Sequence, residues 1–205
     1  MTRVASDIAF TSSVKAVQTR LGSRDQYART EQENEWSTTV TPELREFLAE
    51  RDSFYLATAS AEGRPYIQHR GGPKGLLQVV DEKTLAFADY AGNRQYISIG
   101  NLADNNQAFV FLMDYATQTR IKIWGRAEVV ADDSALLARL VDFRCKAKAQ
   151  RIIKFHVELW DVNCRQHIPP KYSEREVEEL LRPLHNRVAD LEAENAALKN
   201  QLVVR

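Results

Sequence analysis

The chain has 205 residues, 44% of them apolar and 27% charged, which is enough for one sizeable core plus an appendage and too apolar for disorder throughout. Its 28 basic residues cancel its 28 acidic ones, so there is no global field to hold a polyanion, and neither nucleic acid nor an acidic membrane surface is an expected partner. The longest apolar run, 108–113, falls far short of the roughly 20 residues a spanning helix needs, which excludes membrane insertion.

The start Met1-Thr2-Arg3-Val4-Ala5-Ser6-Asp7 lacks the basic and apolar stretches of a secretory signal and points to the cytoplasm. Cys145 and Cys164 are too few for a disulfide framework. The pattern along the chain divides it into an arm (1–40), a strand-rich domain (41–170) and a tail (171–205).

In the arm, Val14, Val17 and Leu21 make one helical stripe that Gly22 ends, and a polar stretch follows through Glu35. A segment this weakly apolar cannot fold alone: it either packs on something larger, such as a partner subunit, or stays mobile. Thr41-Pro42-Glu43 then supplies an N-cap, a first-turn proline and an early acid, and Leu44, Phe47 and Leu48 predict a short helix over 42–50.

Strand patterns follow at 54–59, 65–70, 76–80, 85–89, 108–114, 120–130 and 152–162. Short turns such as Ala61-Glu62-Gly63-Arg64 and Ala116-Thr117-Gln118-Thr119 imply antiparallel hairpins. Two helices, over 93–104 and 132–143, interrupt the run. The expected class is mainly β: a small closed or half-closed antiparallel barrel with helices, since closure removes exposed edges.

The tail opens on a capping box, Ser173-Glu174-Arg175-Glu176, and Pro183 must kink the helix or restart it. Leu181, Val188, Asn195 and Leu202 then occupy heptad position a, and Leu184, Leu191 and Leu198 occupy d. A lone Asn at a favours a parallel two-stranded pairing, in which Arg187 faces Glu192 and Glu194 faces Lys199 of the partner helix. The alternative is an amphipathic helix on its own barrel, for which this seam is narrow. Three heptads alone are marginal in water, so the tail extends a dimer made elsewhere.

Two segments can carry chemistry. Gln68-His69-Arg70-Gly71-Gly72-Pro73-Lys74-Gly75 joins two strands and combines three glycines with two cations, which lets backbone approach a planar or anionic ligand, although an ordinary hairpin loop looks similar. Asp89-Tyr90-Ala91-Gly92-Asn93-Arg94-Gln95 runs from a strand through a glycine turn into a helix. Exposed N–H groups, the helix dipole and the Arg94 guanidinium there form a phosphate seat; an Asn cap beside a solvated Arg is the plainer reading. The pair Cys164 and His167 lacks the further ligands of a metal site. The basic stretch Arg144, Lys146, Lys148, Arg151 and Lys154 reads as a solvated loop.

The ordered set Gly63-Arg64-Pro65-Tyr66, Phe87 through Gln95 with Asn101, and Ile123-Trp124-Gly125-Arg126-Ala127-Glu128 resembles the pyridoxamine 5'-phosphate oxidase-like family of flavin-binding split barrels, over about 42–170. The resemblance implies a homodimer with two FMN molecules in clefts between subunits. It places Gln68, His69, Arg70 and Gly71 along the flavin, Asn93, Arg94 and Gln95 at the phosphate beside Asp89, Arg120 as a contribution from the second subunit, and Trp160 near the ring. His167 joins this set, and Gln95 stands where the oxidases carry Lys, a lost cation for which Arg70 or Lys74 is expected to compensate.

The oxidase's final Arg-x-His pair is replaced by Gln166-His167-Ile168, which argues against vitamin B6 oxidation. Gln-His-Arg-Gly-Gly at 68–72 and Asn-Cys-x-Gln-His-Ile at 163–168 are similar to a divergent branch of flavin-nucleotide-binding proteins. The expected function is an FMN-dependent oxidoreductase with a nicotinamide donor or a small redox substrate, with no assigned acid or base and no metal. The alternatives are a flavin- or haem-binding carrier and a scaffold without ligand.

Overall fold

In the computed structural model, which describes residues 5–33, 36–141, 148–163 and 165–203, seven strands form one wholly antiparallel sheet. They are β1 (Ser53–Ala59), β2 (Pro65–Gly71), β3 (Gln78–Val79), β4 (Thr84–Tyr90), β5 (Gln107–Asp114), β6 (Thr119–Val130) and β7 (Ala149–Asn163), in the spatial order β2, β1, β5, β6, β7, β4, β3. All the expected strands are present, and β3 is cut to two residues. The chain forms two compact units: one holds the arm and the strands, the other residues 115–118 and the chain from 167 onward.

Period-two burial builds the core. β1 buries Phe54, Leu56 and Thr58, β5 buries Ala108, Val110 and Leu112, and β6 buries Ile121, Ile123 and Ala127. β4 is buried on both faces: Leu85 and Phe87 enter the main core, while Ala86 and Ala88 lie under α5 (Ser134–Leu140), whose Leu136 and Leu140 complete a second cluster with Ile152. Large residues thus fill the barrel, and small ones leave room for the helix. Asp133 caps α5, and the Leu136 N–H holds its carboxyl below the usual carboxylate range.

The sheet has two hydrogen-bonding edges, β2 and β3, so it is curled rather than closed by a ladder. Side chains bridge the gap. Phe54 of β1 meets Phe87 of β4 edge-on at 5.0 Å, although three strands separate β1 from β4 in the sheet. Inward alternation on β2 places Arg70 opposite Asp89 of β4, and they pair at 2.6 Å. Arg151, directly across the β4–β7 ladder from Asp89, approaches its second oxygen at 3.4 Å. The fold is a split barrel. At its waist, the β6–β7 register shifts between Trp124 and Gly125, and a Cβ on Gly125 would come 2.0 Å from the His156 carbonyl oxygen.

The arm packs on the outer face of the barrel. α1 (Ser12–Arg20) is the expected helix, but Val14, Val17 and the C-cap Leu21 are exposed and Gln18 is its buried residue, and the polar stretch after it is a second helix, α2 (Arg24–Glu33). Lys15 of α1 bridges Asp7 and Glu31, Arg24 donates to Gln18 of α1 at 2.7 Å, and Arg24 pairs with Glu31 within α2, so polar contacts hold what apolar periodicity does not reveal. Phe10 contacts Tyr27 and Trp36, Trp36 stacks on Trp124 of β6, and Lys122 lies over both indoles. α3 (Pro42–Ala49) starts at its Thr41 cap, as expected.

In the second unit Gln118 donates to the Ile168 carbonyl and Lys171 lies 4.6 Å over the Tyr115 ring. α6 (Glu174–Val203) begins at the capping box, in which the Ser173 N–H and hydroxyl both donate to Glu176 at 2.7 Å. It continues through Pro183 without restarting. Among the described residues, no helix is long and apolar enough to cross a membrane.

Two substitutions test this framework. Gly125→Ala forces backbone apart at the β6–β7 contact and should lower stability by about 3 kcal/mol, read as the urea midpoint. Asp89→Asn leaves two buried guanidiniums without a counter-charge and should cost about 3 kcal/mol in the same assay, whereas Asp104→Asn, in an exposed position, should change it by less than about 0.5 kcal/mol.

Candidate functional site

Beyond β4 the chain makes a tight approach to α4 (Ile97–Asp104). The sequence predicts a helix from 93, but Arg94 (φ 59°) and Tyr96 (φ 53°) adopt left-handed backbone, which a right-handed helix cannot contain, so α4 starts at Ile97. Asn93 is therefore no helix cap; its Oδ1 accepts from the Gln95 N–H at 3.2 Å and forms the turn instead. Left-handed backbone at two non-glycine residues costs on the order of 1 kcal/mol each, a strain that clusters at ligand clamps.

No side chain caps α4, so its first-turn N–H groups keep their hydrogen-bonding capacity at the positive end of the helix. Two bonds pin the helix in place: Ser98 Oγ donates to Gln68 Oε1 at 2.9 Å, and Asn101 Nδ2 donates to Thr58 Oγ1 at 3.0 Å. The resulting basin, of about 260 Å³, is lined by Tyr66, Gln68, Arg70, Asp89, Asn93, Arg94, Gln95 and the first turn of α4. Six of the sequence-predicted residues therefore meet here. An adjoining cavity of about 200 Å³ shares Arg70 and adds His69, Gly71 and Lys74.

In the basin wall Arg70 pairs with Asp89, which Arg151 reaches from β7 without itself lining the basin, while the exposed Arg94 guanidinium has no ion-pair partner among the described residues. Arg70 Nε is buried and unsatisfied. The donors thus exceed the one carboxylate that faces them, and the set suits a phosphate dianion. Lys74 does not join the seat, because it pairs with Glu50 at 2.6 Å. Arg151 supplies the nearby cation instead, 5.2 Å over the Tyr96 ring. Sequence reasoning placed Arg151 in a solvated loop; it lies on β7, and its period-two alignment with Ile153 and Phe155 is the signal that marks it as inward. Lys154 likewise lies on β7 and pairs with Asp133. Arg144, Lys146, Cys145 and Cys164 lie outside the described residues.

The other predicted residues do not line the basin itself. His69 alternates to the outer face of β2, where its ring meets Tyr55 edge-on at 5.4 Å. Trp160 sits far along β7 from Arg151, about 30 Å away at the usual strand rise, and its indole N–H donates to the Thr39 carbonyl at 2.7 Å. Arg120 pairs across the sheet with Asn163 at that same end of β7, and its Nε is buried without a partner. His167 belongs to the second unit and has left-handed backbone (φ 63°). One chain therefore collects the phosphate-type residues at one end of the sheet and leaves Arg120 and Trp160 at the other.

Comparison with known proteins accords with this geometry. Group A Streptococcus HupZ is 19% identical, and the match covers 64% of this chain and 98% of that one with a TM-score of 0.50. A putative pyridoxamine 5'-phosphate oxidase from Lactobacillus delbrueckii is 20% identical (61% and 95% covered, TM-score 0.47). An FMN-binding protein from Syntrophomonas wolfei is 12% identical (71% and 97% covered, TM-score 0.46). At such identities the likeness is one of fold, and no curated protein matches the chain. The family profile described as pyridoxamine 5'-phosphate oxidase, however, matches residues 40–164, the span that holds all seven strands and the basin, and the chain belongs to that family.

Proposed function

We propose that this protein binds FMN as a homodimer and acts as a flavin-dependent oxidoreductase. The observation that carries the reading is the basin before α4: uncapped helix N–H groups behind two left-handed residues, an Arg94 with no ion-pair partner among the described residues, and an unsatisfied Arg70 Nε in the same lining. A flavin's terminal phosphate has the charge and the acceptor geometry that this donor set lacks internally. Gln95, in place of the oxidases' Lys, is compensated by Arg151, which Asp89 orients from the neighbouring strand.

The homodimer follows from the division of the candidate residues. Arg120 and Trp160 lie toward the far end of β7, nine or more residues along the strand from Arg151, and neither lines the basin. A second copy related by a two-fold axis can bring its own Arg120 end to the first copy's basin, so each site draws on both chains.

When bound, the flavin supplies the redox chemistry by accepting a hydride or electrons. The chain contributes binding and orientation: Arg94, the Asn93 turn and the first turn of α4 hold the phosphate, and Gln68, fixed by Ser98, presents its amide along β2 toward the cofactor. His69, on the outer face, is placed for a substrate that approaches between subunits. Gln166-His167-Ile168 in place of the oxidase's pyridoxal phosphate pair directs the activity to a substrate other than vitamin B6.

Freshly purified protein should show a flavin absorption spectrum and a dimer mass by sedimentation, and anaerobic NADH or NADPH should bleach the flavin band. A colourless protein that does not take up FMN on titration would refute the cofactor assignment; bound flavin that resists both donors would favour a carrier. Arg94→Ala should weaken FMN binding by roughly 10- to 100-fold, the cost of about 1.5 to 3 kcal/mol for a lost charge-assisted contact, with the fold and the dimer mass unchanged.

A further inference from the structure

The flavin reading leaves α6 without a role. Along this helix Val177, Leu181, Leu184, Val188, Leu191 and Leu198 follow one another at heptad a and d spacing, and all six are exposed, by 39% to 59%. A continuous stripe of this kind on a soluble helix has a covering partner. We propose that α6 forms a parallel two-stranded coiled coil with α6 of a second copy of this chain, independently of whether flavin is bound.

Three observations select that occupant. The first is charge: among the described residues Arg187, Glu192, Glu194 and Lys199 make no ion pair, whereas Arg175 and Glu179 at the start of α6 approach each other at 3.8 Å. Glu192, Glu194 and Lys199 have no opposite charge three or four residues away, so their own helix cannot serve them. In a parallel pair Arg187 meets the partner's Glu192 and Glu194 meets the partner's Lys199, and symmetry doubles both contacts.

The second is Asn195, the one polar residue in the seam over the helix's described side chains. In the parallel register it meets the partner copy's Asn195, and the two amides satisfy each other. In the antiparallel register that layers a against d it meets Leu184, which leaves an amide unsatisfied in an apolar layer. The third is continuity: the helix is unbroken from Glu174 to Val203, so Pro183 does not divide the seam.

The test uses the full-length chain with Cys145→Ser, Cys164→Ser and Asn200→Cys, spin-labelled at the outward-facing position 200. A parallel pair should give one interspin distance of about 20–30 Å, set by an interaxial spacing of about 10 Å plus two label arms. An antiparallel pair would offset the labels by roughly 30 Å along the axis and give a distance above about 40 Å. That longer distance, or a dimer with no short distance, overturns the proposal. Adding Leu184→Glu and Leu191→Glu puts four carboxylates into the seam and should abolish the short distance, and its survival would equally overturn the proposal. The visible spectrum of the same sample reports flavin content separately, so failure of the tail pairing is distinguishable from failure of the flavin reading.

Discussion

The contact of Asp89 with Arg70 and Arg151 is the constraint on which the rest of the unit depends. The hydrogen-bonded ladder ends at β2 on one side and β3 on the other, so nothing in the backbone joins β2 to β4. Only side chains do, and Asp89, 6% exposed, is the hinge of that junction. A carboxylate buried to this degree would be costly alone; two guanidiniums offset the cost and in doing so are oriented themselves. Two of the three residues that close the barrel, Arg70 and Asp89, also line the basin.

That economy explains the strain next to them. The chain leaves β4 at Tyr90 and must reach Ile97 with the α4 N-terminus facing Arg94 and Gln68, and it does so through left-handed backbone at Arg94 and Tyr96. Glycine would adopt these conformations more cheaply, but it would give up the Arg94 guanidinium and the Tyr96 ring beneath Arg151. Strain retained where a cheaper residue exists, next to donors without an acceptor among the described residues, is the observation on which the proposed ligand site rests.

The arm and the tail solve the same problem in different ways. Each is too poor in apolar residues to fold alone. The arm uses an aromatic chain from Tyr27 through Phe10 and Trp36 to Trp124, with Lys122 over the indoles, and so borrows the barrel's outer face. The tail instead keeps its apolar residues in line on one helix, in a pattern that a second helix can complete.

The amino-acid order by itself determined the local features: seven strands from period-two alternation, the Thr41 and Ser173 caps, the heptad spacing of α6, and the polar turn from Asp89 to Gln95, together with the family that those motifs resemble. Each is set by neighbours a few residues apart, so propensity and spacing suffice to read them. Only the tertiary structure decided that Arg151 is inward and shares Asp89 with Arg70, that Lys74 is taken by Glu50, that α2 is held to α1 by polar contacts of Glu31 and Arg24, and that Arg120 and Trp160 lie away from the basin. These depend on register and on how far the sheet curls, which are sums over many distant contacts, and no local stretch of sequence contains them.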